Sequence, residues 1–309
     1  MRIIVAGAAG FIGYHLAGRL AREGHEVIGI DSMTTGSEAN ARDLSALAGF
    51  TFMRADIRRP LQIDGPVDRI LNMACPASPV DFRDKGLEIM ETCSTGVRNL
   101  LELAREKKSL FLQASTSECY GDPLEHPQRE TYYGNVNPIG PRAVYDEGKR
   151  FAEAMVFGYH RTHGLHTRIV RIFNTYGPRM RADDGRALPN FISQALRGQP
   201  VTVHGDGSQT RSFCYVDDLV EAILRNSNSD YLDPINIGND SEITVRQAAE
   251  AVIEMTGNRS KIVFTDRPVN DPERRRPDLT RAREVLGWSP TVPWRVGFQR
   301  TVDYFKSLM

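Results

Sequence analysis

Neither sign of charge is in excess in this chain: 39 Lys and Arg stand against 39 Asp and Glu, for a formal charge of zero. Phosphate polymers and anionic lipid surfaces are held by clustered basic residues, so neither nucleic acid nor a membrane is the expected partner. Cysteine is sparse. The four present, Cys75, Cys93, Cys119 and Cys214, form no CxxC pair. That spacing argues against a disulfide frame or a zinc site, no metal is expected, and the thiols read as those of a reduced, cytoplasmic protein. No apolar run approaches the roughly 18 residues of a membrane span. The chain opens directly on a strand-like run, leaving no room for a signal peptide. Repeats and low-complexity tracts are also missing, which excludes solenoids and disordered linkers. What remains, at 309 residues, is one large α/β unit or two intimate domains.

The first half alternates strand and helix. Arg2 to Ala6 is a buried-strand run that enters Gly7-Ala8-Ala9-Gly10-Phe11-Ile12-Gly13, and a helical pattern follows from Tyr14 to Arg22. Strand, glycine turn and helix in this order predict a dinucleotide site. Gly7 permits the turn, Gly10 lets backbone amides approach a pyrophosphate, and Gly13 allows helix and strand to pack closely. Glu26 to Asp31 reads as the second strand, with an acid placed to accept hydrogen bonds from the adenosine ribose. That acid would repel a 2′-phosphate, and Ser32-Met33-Thr34 includes no arginine, so NAD is expected rather than NADP. Further strands are expected over Phe50 to Ala55, ending in Asp56-Ile57, over Val67 to Met73, and over Leu110 to Ala114, with one helix from Leu87 to Lys107 between the last two. The alternation predicts a doubly wound parallel sheet of Rossmann type, with the ligand crevice at the carboxyl ends of its strands.

At that crevice stand Ser115-Thr116-Ser117-Glu118, and downstream Tyr145-Asp146-Glu147-Gly148-Lys149. A tyrosine and a lysine four apart share one helix face. The ammonium there favours the phenolate and lowers the phenol below its usual value. Such a phenol takes a proton from a sugar hydroxyl while a nicotinamide takes the hydride. Ala143 to His163 is the helix that carries the pair. Beyond a strand from Thr167 to Phe173 the pattern loosens. Helices are expected over Phe191 to Arg197, Tyr215 to Arg225, Val245 to Thr256 and Trp294 to Lys306, strands over Val201 to Val203 and Ile235 to Gly238, and a polar loop over Gly205 to Arg211.

These motifs resemble the extended short-chain dehydrogenase/reductases that act on nucleotide sugars, and among them the UDP-glucuronate decarboxylase group. The resemblance runs over essentially the whole chain. It rests on Ala74-Cys75-Pro76-Ala77-Ser78-Pro79, Thr116-Ser117-Glu118, Asn137-Pro138-Ile139-Gly140-Pro141-Arg142, Tyr145 to Arg150, Arg171 to Arg179, Gly207-Ser208-Gln209-Thr210-Arg211 and Arg275-Arg276-Pro277-Asp278. It implies NAD-dependent conversion of UDP-glucuronate to UDP-xylose and carbon dioxide through a 4-keto sugar, with no net redox change. The implied catalytic set is Tyr145, Lys149, Thr116, Glu118 and Arg275. The cofactor set is Gly7, Gly10, Phe11, Ile12, Gly13, Asp31, Ser32, Thr35, Gly36, Asp56 and Ile57 with Tyr145 and Lys149. The substrate set is Ser117, Asn174, Gln209, Arg211 and Arg275, with Arg275 facing the sugar carboxylate and Arg211 the diphosphate. At least one arginine of the run Arg274-Arg275-Arg276 is expected to be merely solvated.

The resemblance further implies a division into a dinucleotide domain over 1–175, with segments near 212–240 packing back on it, and a nucleotide-sugar domain mainly over 176–309. It also implies a homodimer built on the helices around Glu88 to Lys107 and Ala143 to His163. Three departures stand out: Cys93 where most members have Asn, and Phe82 and His204 where Tyr is common. The rival readings are a sugar-nucleotide 4,6-dehydratase, a 4-epimerase and an idle NAD-binding regulator. The dehydratases place an Asp where this chain has Ser117, to protonate a departing 6-hydroxyl. A uronate has no such hydroxyl, and an Asp there would repel its carboxylate. An idle scaffold has no need of Tyr145, Lys149 and Thr116.

Overall fold

The strands Arg2–Ala6 (β1) and Glu26–Asp31 (β2) are apolar almost throughout because both of their faces are covered. They lie inside a seven-stranded parallel sheet with Phe50–Arg54 (β3), Arg69–Asn72 (β4), Leu110–Thr116 (β5), Thr167–Ile172 (β6) and a last strand, Ile235–Ile237. The strand order is Ile235–Ile237, β6, β5, β4, β1, β2, β3, which reverses direction of growth between β1 and β4. This is the doubly wound Rossmann arrangement, and the computed structural model describes it over residues 1–266 and 274–309.

Alternation along each strand sends successive side chains to opposite layers. Ile3 and Val5 join Leu16 and Leu20 of α1 (Phe11–Arg22), and Leu219 and Ile223 of a later helix, in one core. Ile4 and Ala6 join Leu100 and Leu101 of α5 (Val97–Lys107), and Ala152 and Val156 of α6 (Ala143–His163), in the other. The first core continues into the C-terminal half. It takes in Phe191 and Ile192 of α7 (Ala187–Leu196), Leu219 and Ile223 of α8 (Val216–Asn228), Ala248 and Val252 of α9 (Val245–Thr256), Ala282 of α10 (Thr280–Leu286), and Phe298 and Val302 of α11 (Trp294–Lys306). The two halves therefore share packing, and the space left between them lies above the carboxyl ends of β4, β5 and β6.

Several expected boundaries move. β5 runs two residues further than its apolar stretch, so Ser115 and Thr116 belong to the strand, paired with Arg171 and Ile172 of β6. The helix expected over Leu87 to Lys107 is broken: α4 (Gly86–Glu91) gives way to a π-helical turn, Thr92–Gly96, before α5 begins. The Thr92 and Ser94 hydroxyls donate to the carbonyls of Glu88 and Met90, each at 2.7 Å, and compete with the regular ladder there. Short helices at Glu38–Ser45 (α2), Pro79–Asp84 (α3) and α10 were not anticipated, being too brief for a hydrophobic period to develop. The polar Gly205 to Arg211 stretch is a loop only as far as Gln209. Thr210–Ser212 is a strand held between Glu242–Thr244 and Arg274–Arg275.

Candidate active site

The glycine turn after β1 is built for contact. Gly7 sits at φ +80°, and a Cβ there would lie 2.8 Å from the backbone nitrogen of Ala74. A Cβ on Gly13 would lie 1.9 Å from the Gly7 carbonyl oxygen. Larger residues at either place would force α1 and β4 away from the turn. No side chain caps α1 and its first turn holds no acid, so its N-terminal amides and dipole remain for an anion. Asp31 closes the rim. Its carboxylate accepts from the backbone N–H of Ala9 at 2.9 Å and of Met33 at 2.8 Å. Burial pushes its pKa up, against those hydrogen bonds.

Gly7, Gly10, Asp31, Ser32, Thr35, Asp56 and Ile57 all line this crevice. Gly13 backs it, and Gly36 sits where a Cβ would touch the Asp31 carboxylate at 2.8 Å. Ile12 turns to the larger cavity beyond, and Phe11 is packed against the main core. Arg58, which sequence reasoning passed over, enters the crevice too. It is tied to Asp56 at 2.6 Å, Glu88 at 3.2 Å and Glu91 at 3.1 Å. Those carboxylates and Asp31 make the rim acidic despite the arginine, a poor setting for a 2′-phosphate. The tight glycine cradle and the ribose-height acid fit a dinucleotide without that phosphate.

The crevice opens past Met73 and Cys75 into a cavity of about 360 Å³ between the two halves. Tyr145, Lys149, Thr116, Ser117, Glu118, Asn174, Gln209, Arg211 and Arg275, which lie far apart in sequence, all line it. Helical spacing explains the first two: Tyr145, Gly148, Lys149, Ala152 and Val156 form the buried stripe of α6. The Lys149 ammonium donates to the Ala114 carbonyl at 2.9 Å and lies 5.8 Å from the centre of the Tyr145 ring. Burial opposes its charge, but the nearby Cys75 and Tyr145 outweigh burial and hold the ammonium protonated. The Thr116 hydroxyl accepts from the Glu118 backbone N–H at 3.2 Å and stands near enough to the Tyr145 phenol to ease its ionisation. Phe82 stacks on the same ring, centroids 5.0 Å apart and planes at 16°. The expectation of a lowered phenol pKa needs correction. In this pocket burial raises it, and Lys149 offsets only part of that rise.

The same cavity holds a charged cluster, with Arg142 lying 5.6 Å from the centre of the Phe82 ring that stacks on Tyr145. Glu118 is paired with Arg275 and, at 2.8 Å, with Arg142. Burial alone would raise the Glu118 pKa, but the two guanidiniums bring it down to about 2. Arg275 is 5% exposed, whereas Arg274 beside it faces solvent and Arg276 pairs with Glu242 at 3.4 Å. Strand alternation has thus sorted the arginine run: Arg275 is register partner to Arg211. Gln209 donates to the His204 carbonyl at 2.6 Å, fixing the loop beside α7. Two further cavity cations were not among the expected site residues: Arg142, known from the sequence only as the end of a motif, and Arg186. Arg186 stands at the entry to α7 and donates to Asp184 at 2.7 Å.

The site thus joins a dinucleotide cradle to a Tyr/Lys/Thr centre. The model of the NAD dependent epimerase/dehydratase family matches residues 3–238. The chain belongs to this family. It is 48% identical over 307 residues to UDP-glucuronic acid decarboxylase 5 of Arabidopsis thaliana, covering 99% of this chain and 89% of that one. Among solved structures it is similar to a UDP-glucose 4-epimerase with UDP-glucose from Thermotoga maritima, at 28% identity and TM-score 0.90 over 100% of this chain and 99% of that one. A UDP-glucuronic acid 4-epimerase from Bacillus cereus in complex with UDP-glucuronic acid and NAD aligns at 27% identity and TM-score 0.88 over 100% of both chains. The resemblance drawn from the motifs is borne out, and so is the Rossmann-type fold.

Among the described residues no helix is long and apolar enough to cross a membrane, and no group of three metal-ligating side chains occurs.

Proposed function

We propose that this family member decarboxylates UDP-glucuronate to UDP-xylose and carbon dioxide, with NAD as a hydride carrier that is recycled within each turnover. The observation that carries the reading is one cavity holding two unlike devices. Tyr145, Thr116 and Lys149 suit the oxidation of an alcohol, and Arg275, Arg142 and Glu118 suit the holding of a carboxylate beside it.

When bound, NAD would supply the hydride acceptor, held by the glycine turn and Asp31. Lys149 favours the phenolate of Tyr145, which removes the 4-hydroxyl proton with Thr116 as its hydrogen-bond partner. With C4 a ketone, the C5 carboxylate stands β to a carbonyl. The C5–carboxyl bond breaks, carbon dioxide leaves, and the electron pair moves into the carbonyl as an enolate. Tyr145 and Thr116 donate to that oxygen; C5 then takes a proton from solvent, the hydride taken from C4 returns to it, and Tyr145 gives back the 4-hydroxyl proton. Arg275 holds the carboxylate until it leaves, and Arg142 assists. Glu118 anchors both guanidiniums, and at a pKa of about 2 it stays ionised and gives no proton to C5 near neutrality. Ser117, Asn174, Gln209 and Arg211 hold the nucleotide sugar, with Arg211 toward the diphosphate. Gly7, Gly10, Gly13 and Asp31 hold the dinucleotide.

In this reading residues 1–175, with the segments near 212–240 that include α8 and the strand Ile235–Ile237 packing back on them, form the dinucleotide half, and residues 176–309 mainly the nucleotide-sugar half. The protein works as a cytoplasmic homodimer. Leu87 and Met90 of α4 and Phe151 of α6 are large exposed apolar side chains on neighbouring helices, which a second copy would cover. The test is incubation with UDP-glucuronate and NAD, reading carbon dioxide and product mass. UDP-xylose with release of carbon dioxide supports the reading. UDP-galacturonate of unchanged mass would make the protein a 4-epimerase instead.

A further inference from the structure

Two thiols meet where the crevice opens into the cavity. Cys75 lies in the loop after β4 and Cys93 in the π-helical turn, and their sulfurs are 3.6 Å apart. Cys75 is half-buried and lines both spaces, so a small reagent in the cleft reaches it, whereas Cys93 is buried behind it. α6 is seated directly on this pair. A Cβ on Gly148 would lie 3.3 Å from the Cys93 Cβ and 3.4 Å from its sulfur, one residue before Lys149. The proposed reaction uses neither thiol.

We propose that Cys75 and Cys93 form a reversible oxidation site, closing to an internal disulfide when a peroxide enters the cleft. The Cys75 thiolate attacks one peroxide oxygen, the O–O bond breaks, and a sulfenic acid and hydroxide result. The Cys93 sulfur then attacks the Cys75 sulfur, the S–O bond breaks, and hydroxide leaves again. With the two thiol protons counted, two thiols are oxidised, one hydrogen peroxide is reduced, and two waters are released. The surroundings set the order of attack. Hydrogen bonding from Cys93, with help from Lys149 and against burial, lowers Cys75 to about 7, while Cys93 is pushed up. Cys75 is the attacking sulfur and Cys93 the resolving one. Cys119 and Cys214 lack this arrangement. Cys119 bonds Ser115 and Glu153, Cys214 bonds the Tyr215 carbonyl, and burial pushes both thiols up.

Closing the sulfurs from 3.6 Å to a bond of roughly 2.05 Å draws the β4 loop toward the π-helical turn. A wide turn inside a helix is the place that yields most readily. The movement shifts a wall shared by crevice and cavity and removes a thiol that helps hold the Lys149 charge. Turnover falls as the bond forms.

The test treats NAD-loaded protein with hydrogen peroxide, then alkylates under denaturing conditions and maps the peptides. The proposal expects a loss of about 2 Da in the intact protein, two alkylatable thiols in place of the four in the chain, and a cross-linked peptide pair containing Cys75 and Cys93. Dithiothreitol should reverse all three and restore turnover. In Cys93→Ser the cross-link disappears, and a dimedone-reactive sulfenic acid appears at Cys75. Four free thiols after treatment, a cross-link through another cysteine, or peroxide inactivation that dithiothreitol fails to reverse would overturn it.

Discussion

Replacing Glu118 by Gln probes how the cavity manages its charge. The carboxylate is 14% exposed and faces two guanidiniums, which lower it from an ordinary 4.5 to about 2. At 1.36 kcal/mol per pKa unit, this difference makes the ionised form contribute about 3 kcal/mol to folding at neutral pH. The sign follows from the depressed value: the contribution is complete above about pH 4.5 and drains away as pH falls toward 2. Glutamine keeps the shape and loses the charge, so the buried Arg275 and the half-buried Arg142 lose the carboxylate they share. Urea unfolding at pH 7 should therefore show Glu118→Gln weaker by about 3 kcal/mol, and by pH 3 roughly 2 kcal/mol of that deficit should be gone. Turnover should fall as well, since the arginines lose their common anchor. Equal stability at pH 7, or a deficit undiminished at pH 3, would refute the reasoning.

Tyr145→Phe should lower turnover by roughly 100- to 10,000-fold while leaving NAD affinity nearly unchanged, measured by steady-state rates and cofactor titration. Gly13→Ala should cost about 3 kcal/mol of stability and weaken NAD retention, because the added Cβ would lie 1.9 Å from the Gly7 oxygen; thermal melts with and without NAD check both. Asp146 is held up at about 7, first by burial and then by Glu118. A raised carboxyl contributes stability that is full below its ordinary 3.8 and lost as pH rises through 7. Asp146→Asn should thus gain on the wild type by about 3 kcal/mol between pH 5 and pH 8 in urea titrations.

The parallel sheet was legible because β1 and β2 are covered on both faces, and apolar runs bounded by glycine turns carry that fact in one dimension. The shared face of Tyr145 and Lys149 on the helix Ala143–His163 was legible for a similar reason: the helical period survives translation into sequence. The break at Thr92–Gly96 was not, since hydroxyl groups competing for helical carbonyls leave the hydrophobic period of α4 and α5 intact. Arg142, Arg186 and Arg58 were hidden more deeply. An arginine's role is set by which carboxylate it meets, and Glu118, Asp184 and the trio Asp56, Glu88 and Glu91 lie elsewhere in the chain or across a turn. The phenol pKa failed differently. Spacing revealed the lysine that lowers it, but the burial that raises it belongs to the assembled cavity.

The central claim is that hydride leaves C4 and comes back to the same carbon. UDP-glucuronate carrying deuterium at C4, turned over with unlabelled NAD, tests it by mass spectrometry and NMR of the product. The account predicts UDP-xylose that keeps the deuterium at C4 through many turnovers. Product with hydrogen at C4, or carbon dioxide released at full rate by Tyr145→Phe, would contradict it.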